Sequence, residues 1–321
     1  MDADLIIIGA GPGGLTAAQY GARSNLSVLV LEQLAHGGQA LLIDALENYP
    51  GIAPGKTGFQ FADDLHRQAV DFGARFLSEA ALGLSKEGDA FTVTLGNGET
   101  RQAPAIIMAT GAKHRKLGIP GEEEFYGRGV SYCATCDGPF FKNKKIFVVG
   151  GGDSACVEAL FLSRLSDKIV HIHRRDRFRA QKSLADQVLK NPHIQVRFNL
   201  TMKEILGQGG KLQSVILRAT NNKGEEEGPP LDAEDADGVF IFTGTIPQSS
   251  LVNGEGPLKA ELDEGGYIIT DEKMASSIPG LYAVGDVRTT PFRQVVTAAA
   301  DGAVAAHWAA AYIDELRGEA Y

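Results

Sequence analysis

Cysteine is scarce in this 321-residue chain: there are three, and two of them, Cys133 and Cys136, form a Cys-x-x-Cys. So few cannot build the disulfide framework of a small secreted protein. Long apolar runs are missing too, none approaching the roughly 20 residues a membrane helix needs. Excess positive charge is absent, since 31 Lys and Arg stand against 40 Asp and Glu, for a net charge of −9. Nucleic acid and anionic membranes are bound through basic surface, so neither is expected as a partner. Met1-Asp2-Ala3 leads straight into an apolar run, leaving no room for a signal peptide. The expectation is a soluble, cytoplasmic protein. Its length favours two domains, at roughly 100–200 residues each.

Glycine, by contrast, is plentiful, and the 39 residues cluster in turns after apolar runs, as nucleotide loops do. Asp4 to Ile8 reads as a strand buried on both faces. It feeds Gly9-Ala10-Gly11-Pro12-Gly13-Gly14, with Gly9, Gly11 and Gly14 at the positions of a G-x-G-x-x-G. A helix, Leu15 to Arg23, and a strand, Ser27 to Leu31, follow, and the strand ends at Glu32-Gln33. Glycines let the backbone approach a pyrophosphate at a helix N-terminus, and the acid accepts ribose hydroxyls. A bare glycine pattern also arises in ordinary turns. An acid at the next strand end, about 20 residues on, selects the dinucleotide reading. Phe61, Leu65, Ala69 and Phe72 recur at helical spacing and read as core. Phe91 to Leu95, Gly96-Asn97-Gly98 and Glu99 to Ala103 form a hairpin pattern. Ala105 to Ala109 is another buried strand, stopping at Thr110-Gly111-Ala112.

The pattern then restarts. Lys144 to Val149 is a strand, and Gly150-Gly151-Gly152-Asp153-Ser154-Ala155 opens an apolar helix from Ala155 to Leu165. The next strand, Lys168 to His173, ends not in an acid but in His173-Arg174-Arg175-Asp176-Arg177-Phe178-Arg179. A basic run is often only a solvated turn. At this point of a nucleotide fold it suits a 2′-phosphate, because a guanidinium pairs two phosphate oxygens at once. Strands are also expected at Gln195 to Phe198, Ser214 to Ala219 and Gly238 to Phe242, with a polar, acidic hairpin tip from Asn221 to Gly228. Leu281 to Asp286 is a strand closing on Gly285-Asp286, where the acid reads in isolation as a helix cap or turn residue. Arg293 to Trp308 makes an alanine-rich helix.

The cysteine pair lies between the two glycine turns. Half a zinc site or a structural staple would use the same spacing. Zinc needs two further ligands, yet Cys156 is isolated and no histidine pair is suitably placed. A nucleotide signature on each side favours a redox pair.

With these pieces in place the sequence resembles, from end to end, the low-molecular-weight thioredoxin reductases. Cys133-Ala134-Thr135-Cys136 is similar to that family's redox motif and is its most specific mark. Gly9 to Gly14, Gly37-Gly38-Gln39, Glu47-Asn48-Tyr49-Pro50-Gly51 and Thr110-Gly111 look like its FAD-contacting segments, as do Gly285-Asp286-Val287 and Arg293-Gln294-Val295. Gly152-Asp153-Ser154 with Glu158, and His173, Arg174, Arg175 and Arg179, look like its NADPH site. The chain departs from the family at Thr245 and Gln248, where relatives carry His and Asn, and at Phe292, where Tyr is usual.

The resemblance implies two doubly wound, Rossmann-like α/β domains, an NADPH domain (115–245) inserted into a split FAD domain (1–114 and 246–321). It implies that NADPH reduces FAD, that FAD reduces the Cys133–Cys136 disulfide, and that the dithiol reduces thioredoxin. By similarity Cys136 sits nearest the flavin, Cys133 attacks the partner disulfide and Asp137 handles the proton, and the enzyme is a homodimer. The alternative for Asp137 is a plain helix cap after the Cys-x-x-Cys. The competing reading is a related flavin-dependent enzyme acting on another protein disulfide or as an oxidase. An oxidase would lack the arginine cluster. The reductase of a peroxide-detoxifying pair would carry a further thioredoxin-like domain, for which no length remains.

Overall fold

The computed structural model describes residues 1–319 except 44, 47 and 54. The chain divides into two compact units, Met1–Lys113 with Ile246–Tyr321, and His114–Thr245. Each has a five-stranded parallel sheet with helices on one face and an antiparallel sheet on the other.

In the first unit the sheet runs Leu281–Ala283, Ala105–Met108, Leu5–Ile8, Val28–Leu31, Arg75–Leu77. Leu5 stands opposite both Val28 and Ala105 in parallel register. The three central strands are unbroken apolar runs because both their faces are covered. Leu5, Ile7, Val30 and Ile107 pack towards the helices Pro12–Arg23 and Val295–Arg317. Their alternates, Ile6, Ile8, Leu31 and Met108, pack against Phe91, Val93 and Leu95 of the antiparallel hairpin. Each such side chain stabilises the unit by roughly 1.5–3 kcal/mol relative to exposure.

The last helix is longer than its alanine-rich pattern suggests, running from Val295 to Arg317. It starts at a reciprocal cap between Gln294 and Thr297 and stops at Gly318, whose φ of 71° is left-handed. Its small residues allow close approach to the first helix: a Cβ on Gly302 would lie 2.2 Å from the Gly13 carbonyl oxygen.

The second unit repeats the plan, with strands in the order Ile194–Phe198, Ile169–His173, Ile146–Gly150, Gly238–Phe242, Val130–Ser131. Ile146, Val148, Ile169 and Phe240 face helices Asp153–Leu162 and Lys182–Lys190. Phe147, Val149, Ile172 and Ile241 face the antiparallel sheet through Met202, Ile205, Val215 and Leu217. Elements here without a counterpart in the sequence reading include helix Lys182–Lys190 and strands Leu200–Gln208 and Glu226–Pro230. The acidic tip is correspondingly shorter, because Glu226–Pro230 is an edge strand on Lys211–Thr220. That strand is exposed throughout, so no apolar alternation marks it. It is tethered by Arg218, which donates to Glu226 (2.7 Å) and to the Gly228 carbonyl (2.8 Å).

Counted from the strand that feeds each glycine turn, both sheets contain the order 3-2-1-4, so each has a switch point between strands 1 and 4. Ligands of open α/β sheets bind at the carboxyl ends of the strands there.

Candidate active site

At the first switch point a cleft of about 580 Å³ opens. Gly9, Gly11, Pro12 and Gly13 line it from the first turn, and Glu32 and Gln33 from the end of the second strand. Gly38, Gln39, Thr110 and Gly111 also reach it, as do Gly285, Asp286, Gln294 and Val295. Gly9 has a φ of 103° and no room for a Cβ, which would lie 2.4 Å from the Ala109 carbonyl oxygen. Gly14 is packed beneath the turn, while above Gly11 a Cβ would meet nothing within 4 Å. That leaves the backbone free for the close approach of a ligand. The Glu32 carboxylate is held at the cleft wall by the backbone N–H groups of Ala10 and Leu34, both at 2.9 Å. Burial raises the carboxyl of Asp286 above the usual aspartate range, and the Arg293 charge opposes that shift.

Besides Gly14, two expected residues stand outside this lining. Asn48 donates to Gln294 Oε1 at 3.0 Å. Arg293 lies over the Tyr267 ring at 4.2 Å and borders a neighbouring hollow. Glu47 of the same loop lies outside the described residues. The cleft also uses Glu79 to Ala81, Ser250 and Leu251, which sequence reasoning passed over, and Gln248, noted there only as a departure from the family. Gln248 is brought there by backbone bonding, its N–H donating to Gly111 (2.9 Å) and its carbonyl accepting from the Thr110 hydroxyl (2.6 Å). Thr110 and Gln248 are 138 residues apart, which no local motif can signal.

In the second unit Gly150 has a φ of 151° and Gly152 faces open space, as Gly11 does. Gly151 is needed for a different reason: a Cβ there would lie 2.2 Å from the His173 ring. The arginine run is stitched back to this turn, since Arg179 N–H donates to the Gly151 carbonyl at 2.7 Å. Asp153 accepts from the Gln181 N–H at 2.7 Å and braces the same loop, and Ser154 is exposed. His173 is buried, and burial, then the charges of Arg179, Arg174 and Arg175, push its imidazole down to about 4. Among the described residues the guanidinium groups of Arg174, Arg175 and Arg179 have no carboxylate partner. 

None of the thirteen ion pairs among the described residues includes these three arginines.

Cys133 and Cys136 are disulfide-bonded, with Cα atoms 5.3 Å apart, at the start of a one-turn helix, Ala134–Asp137. Cys133 caps that helix, and its Sγ accepts from the Cys136 N–H at 3.2 Å. Asp137 is the last residue of that helix and stands at the N-cap position of the short 3-10 helix Gly138–Phe141, where its side chain makes no capping bond. The buried Ser131 hydroxyl lies 2.5 Å from Asp137 Oδ2 and also accepts from the Cys133 N–H at 3.1 Å. Behind the pair, Tyr132 stacks on His114 and donates to Glu122 at 2.6 Å. Glu122 is itself buried and accepts from the N–H groups of Leu117 and Gly118. The segment leading into the redox pair is therefore tightly held. Among the described residues no cluster could hold a metal ion, and no helix is long and apolar enough to cross a membrane.

Two glycine turns at sheet switch points, with a Cys-x-x-Cys disulfide in the second unit, define a dithiol oxidoreductase served by dinucleotides. Residues 3–302 match the family described as Pyridine nucleotide-disulphide oxidoreductase. The thioredoxin reductase of Treponema pallidum is 52% identical over 316 residues, covering 98% of this chain and 99% of the relative. That of Listeria innocua is 45% identical, covering 98% and 95%. The crystal structure of thioredoxin reductase from Streptococcus pyogenes superposes with a TM-score of 0.87 at 40% identity, covering 98% of each chain. The enzyme from Giardia duodenalis gives 0.88 at 33% identity, covering 97% and 98%. The chain belongs to the thioredoxin reductases, FAD-binding and NADPH-dependent flavoprotein disulfide oxidoreductases.

Proposed function

We propose that this protein reduces thioredoxin, with the Cys133–Cys136 disulfide as the last carrier before the partner. The observation that carries the reading is that disulfide, set in a unit with its own glycine turn and with arginines that have no carboxylate partner among the described residues. In this reading the first unit holds FAD. The open backbone at Gly11, the Glu32 carboxylate and the Gly285-Asp286 turn support it. The second unit holds NADPH, with Gly152 near the pyrophosphate and Arg174, Arg175 and Arg179 on the 2′-phosphate. FAD, when bound, passes two electrons from the nicotinamide to the disulfide.

The cysteines do the rest. As a thiolate, Cys133 attacks one sulfur of the thioredoxin disulfide, forming a mixed disulfide and releasing a thioredoxin thiolate, which takes a proton from Asp137. Cys136 then attacks Cys133 Sγ, which restores the Cys133–Cys136 disulfide and frees the second thioredoxin thiol. Two electrons leave the dithiol and two enter the partner. The same reading makes the enzyme a cytoplasmic homodimer.

The test is the FAD-loaded protein with NADPH and a disulfide dye, with and without thioredoxin. Thioredoxin should sharply accelerate dye reduction, with one NADPH consumed per disulfide reduced. NADPH consumption that ignores thioredoxin and yields hydrogen peroxide would make the protein an oxidase instead.

A further inference from the structure

We propose that the turn Asn221–Glu225, which projects from the antiparallel sheet of the second unit, is a coenzyme-selecting element that positions Arg174 for the 2′-phosphate of NADPH. The inference rests on the assignment of Arg174 and Arg175 to that phosphate. Both arginines follow the strand Ile169–His173, and Arg174 is exposed. A long side chain at a strand end loses much rotamer freedom when it captures a ligand. Anything that holds it beforehand strengthens capture.

The antiparallel sheet supplies that hold at two levels. At the backbone, the buried Thr220 donates its hydroxyl to the Arg174 carbonyl at 2.8 Å. The Asn199 N–H donates to the Arg175 carbonyl at 3.2 Å, and Thr220 N–H donates in turn to Asn199 at 2.9 Å. At the side chain, Gly224 lies against the aliphatic stem: a Cβ there would come within 3.1 Å of Arg174 Cγ and Cδ. Gly224 has a φ of 86°, so glycine meets both the left-handed backbone and the close contact.

The turn that presents Gly224 is built in advance. Asn221 Oδ1 accepts from the N–H groups of Lys223 and Glu225, both at 3.0 Å. Asn221 Nδ2 donates to the Glu225 carboxylate at 2.8 Å, and Gly224 N–H donates to the Asn221 carbonyl at 2.8 Å. This much local bonding sits outside the core clusters, on an exposed tip. Its packing partner is the arginine. Thr220 is thus a positioning residue, acting through Arg174 and not on the reacting atoms.

The experiment measures binding of 2′,5′-ADP and of 5′-AMP to the FAD-loaded enzyme by calorimetry, with the KM values for NADPH and NADH. Thr220→Val keeps shape and removes the donor, and Asn221→Ala loosens the turn from the surface without touching the core. Each should weaken 2′,5′-ADP by about three- to tenfold, the scale of one lost hydrogen bond, and leave 5′-AMP unchanged. KM for NADPH should rise with kcat held, KM for NADH should not move, and Thr220→Ser should restore the preference. Arg174→Ala with Arg175→Ala serves as the control. If that pair abolishes the preference for 2′,5′-ADP while neither Thr220→Val nor Asn221→Ala reduces it, or both weaken the two ligands equally, the turn selects nothing. If the arginine pair itself leaves the preference intact, the 2′-phosphate assignment falls, and the inference with it.

Discussion

A dithiol that attacks a foreign disulfide and then closes on itself needs one sulfur prepared as the nucleophile and a second in reserve. Cys133 Sγ accepts the Cys136 N–H and has the Thr135 hydroxyl 3.4 Å away, both of which favour its thiolate once the disulfide opens. Cys136→Ser should therefore trap oxidised thioredoxin as a stable mixed disulfide on Cys133, visible by mass spectrometry of the pre-reduced protein. Cys133→Ser should trap none; trapping by Cys133→Ser alone would reverse the roles. Asp137 is held by the Ser131 hydroxyl, so its carboxylate has a fixed place beside the pair. Asp137→Asn should slow thioredoxin reduction by about a hundredfold, a general-acid effect, and leave NADPH-dependent flavin reduction intact. Stopped-flow traces of the two half-reactions separate these, and equal slowing of both would make Asp137 structural. The cysteines and Asp137 are legible in five consecutive residues. Ser131 is not, because a lone serine before Cys-x-x-Cys carries no signal until a strand end and a helix bring it to Asp137.

Among the elements, the strand Ile169–His173 carries an unusual load, with His171 and His173 both buried in it. Burial pushes each imidazole down to about 4, and for His173 the neighbouring arginines push further. In the unfolded chain both have ordinary pKa values, near 6.5. Between about pH 6.5 and 4 the unfolded state thus binds protons that the folded state refuses, and stability falls as pH falls through that window. Below about 4 both states are protonated and the loss levels off. Urea midpoints of the second unit, compared between about pH 7 and 5, should show this loss. It should shrink in His171→Gln with His173→Asn. An undiminished loss in that variant would place the acid sensitivity elsewhere. The apolar strands were legible as uninterrupted hydrophobic runs, whereas Glu226–Pro230 was not, since every residue in it is exposed.

For the molecule as a whole, each unit has its own core: two clusters in the first and two in the second, with no shared member. A ligand that binds only folded protein stabilises what it binds, by about 2.7 kcal/mol at a hundred times its Kd. Returning FAD to the stripped apoprotein should slow hydrogen exchange in Leu5–Ile8 and Gly285–Val287 and leave Ile146–Gly150 as it was. NADP⁺ should do the reverse. Protection by FAD spread evenly over both units would overturn the assignment of one nucleotide to each.

Chemistry that depends on neighbours in sequence was settled by the sequence itself. Two glycine turns, an acid at one strand end and arginines at the other, and a Cys-x-x-Cys are each short and local, so chain order alone reveals them. Tertiary structure decided what distant segments do to one another. Only folding brings Gln248 to Thr110 at the cleft, Thr220 and Gly224 to Arg174, and Glu122 to Tyr132. Apart from the Gly224 packing these are single hydrogen bonds, and a hydrogen bond needs a partner at about 3 Å, which sequence spacing does not specify beyond a turn or two of chain.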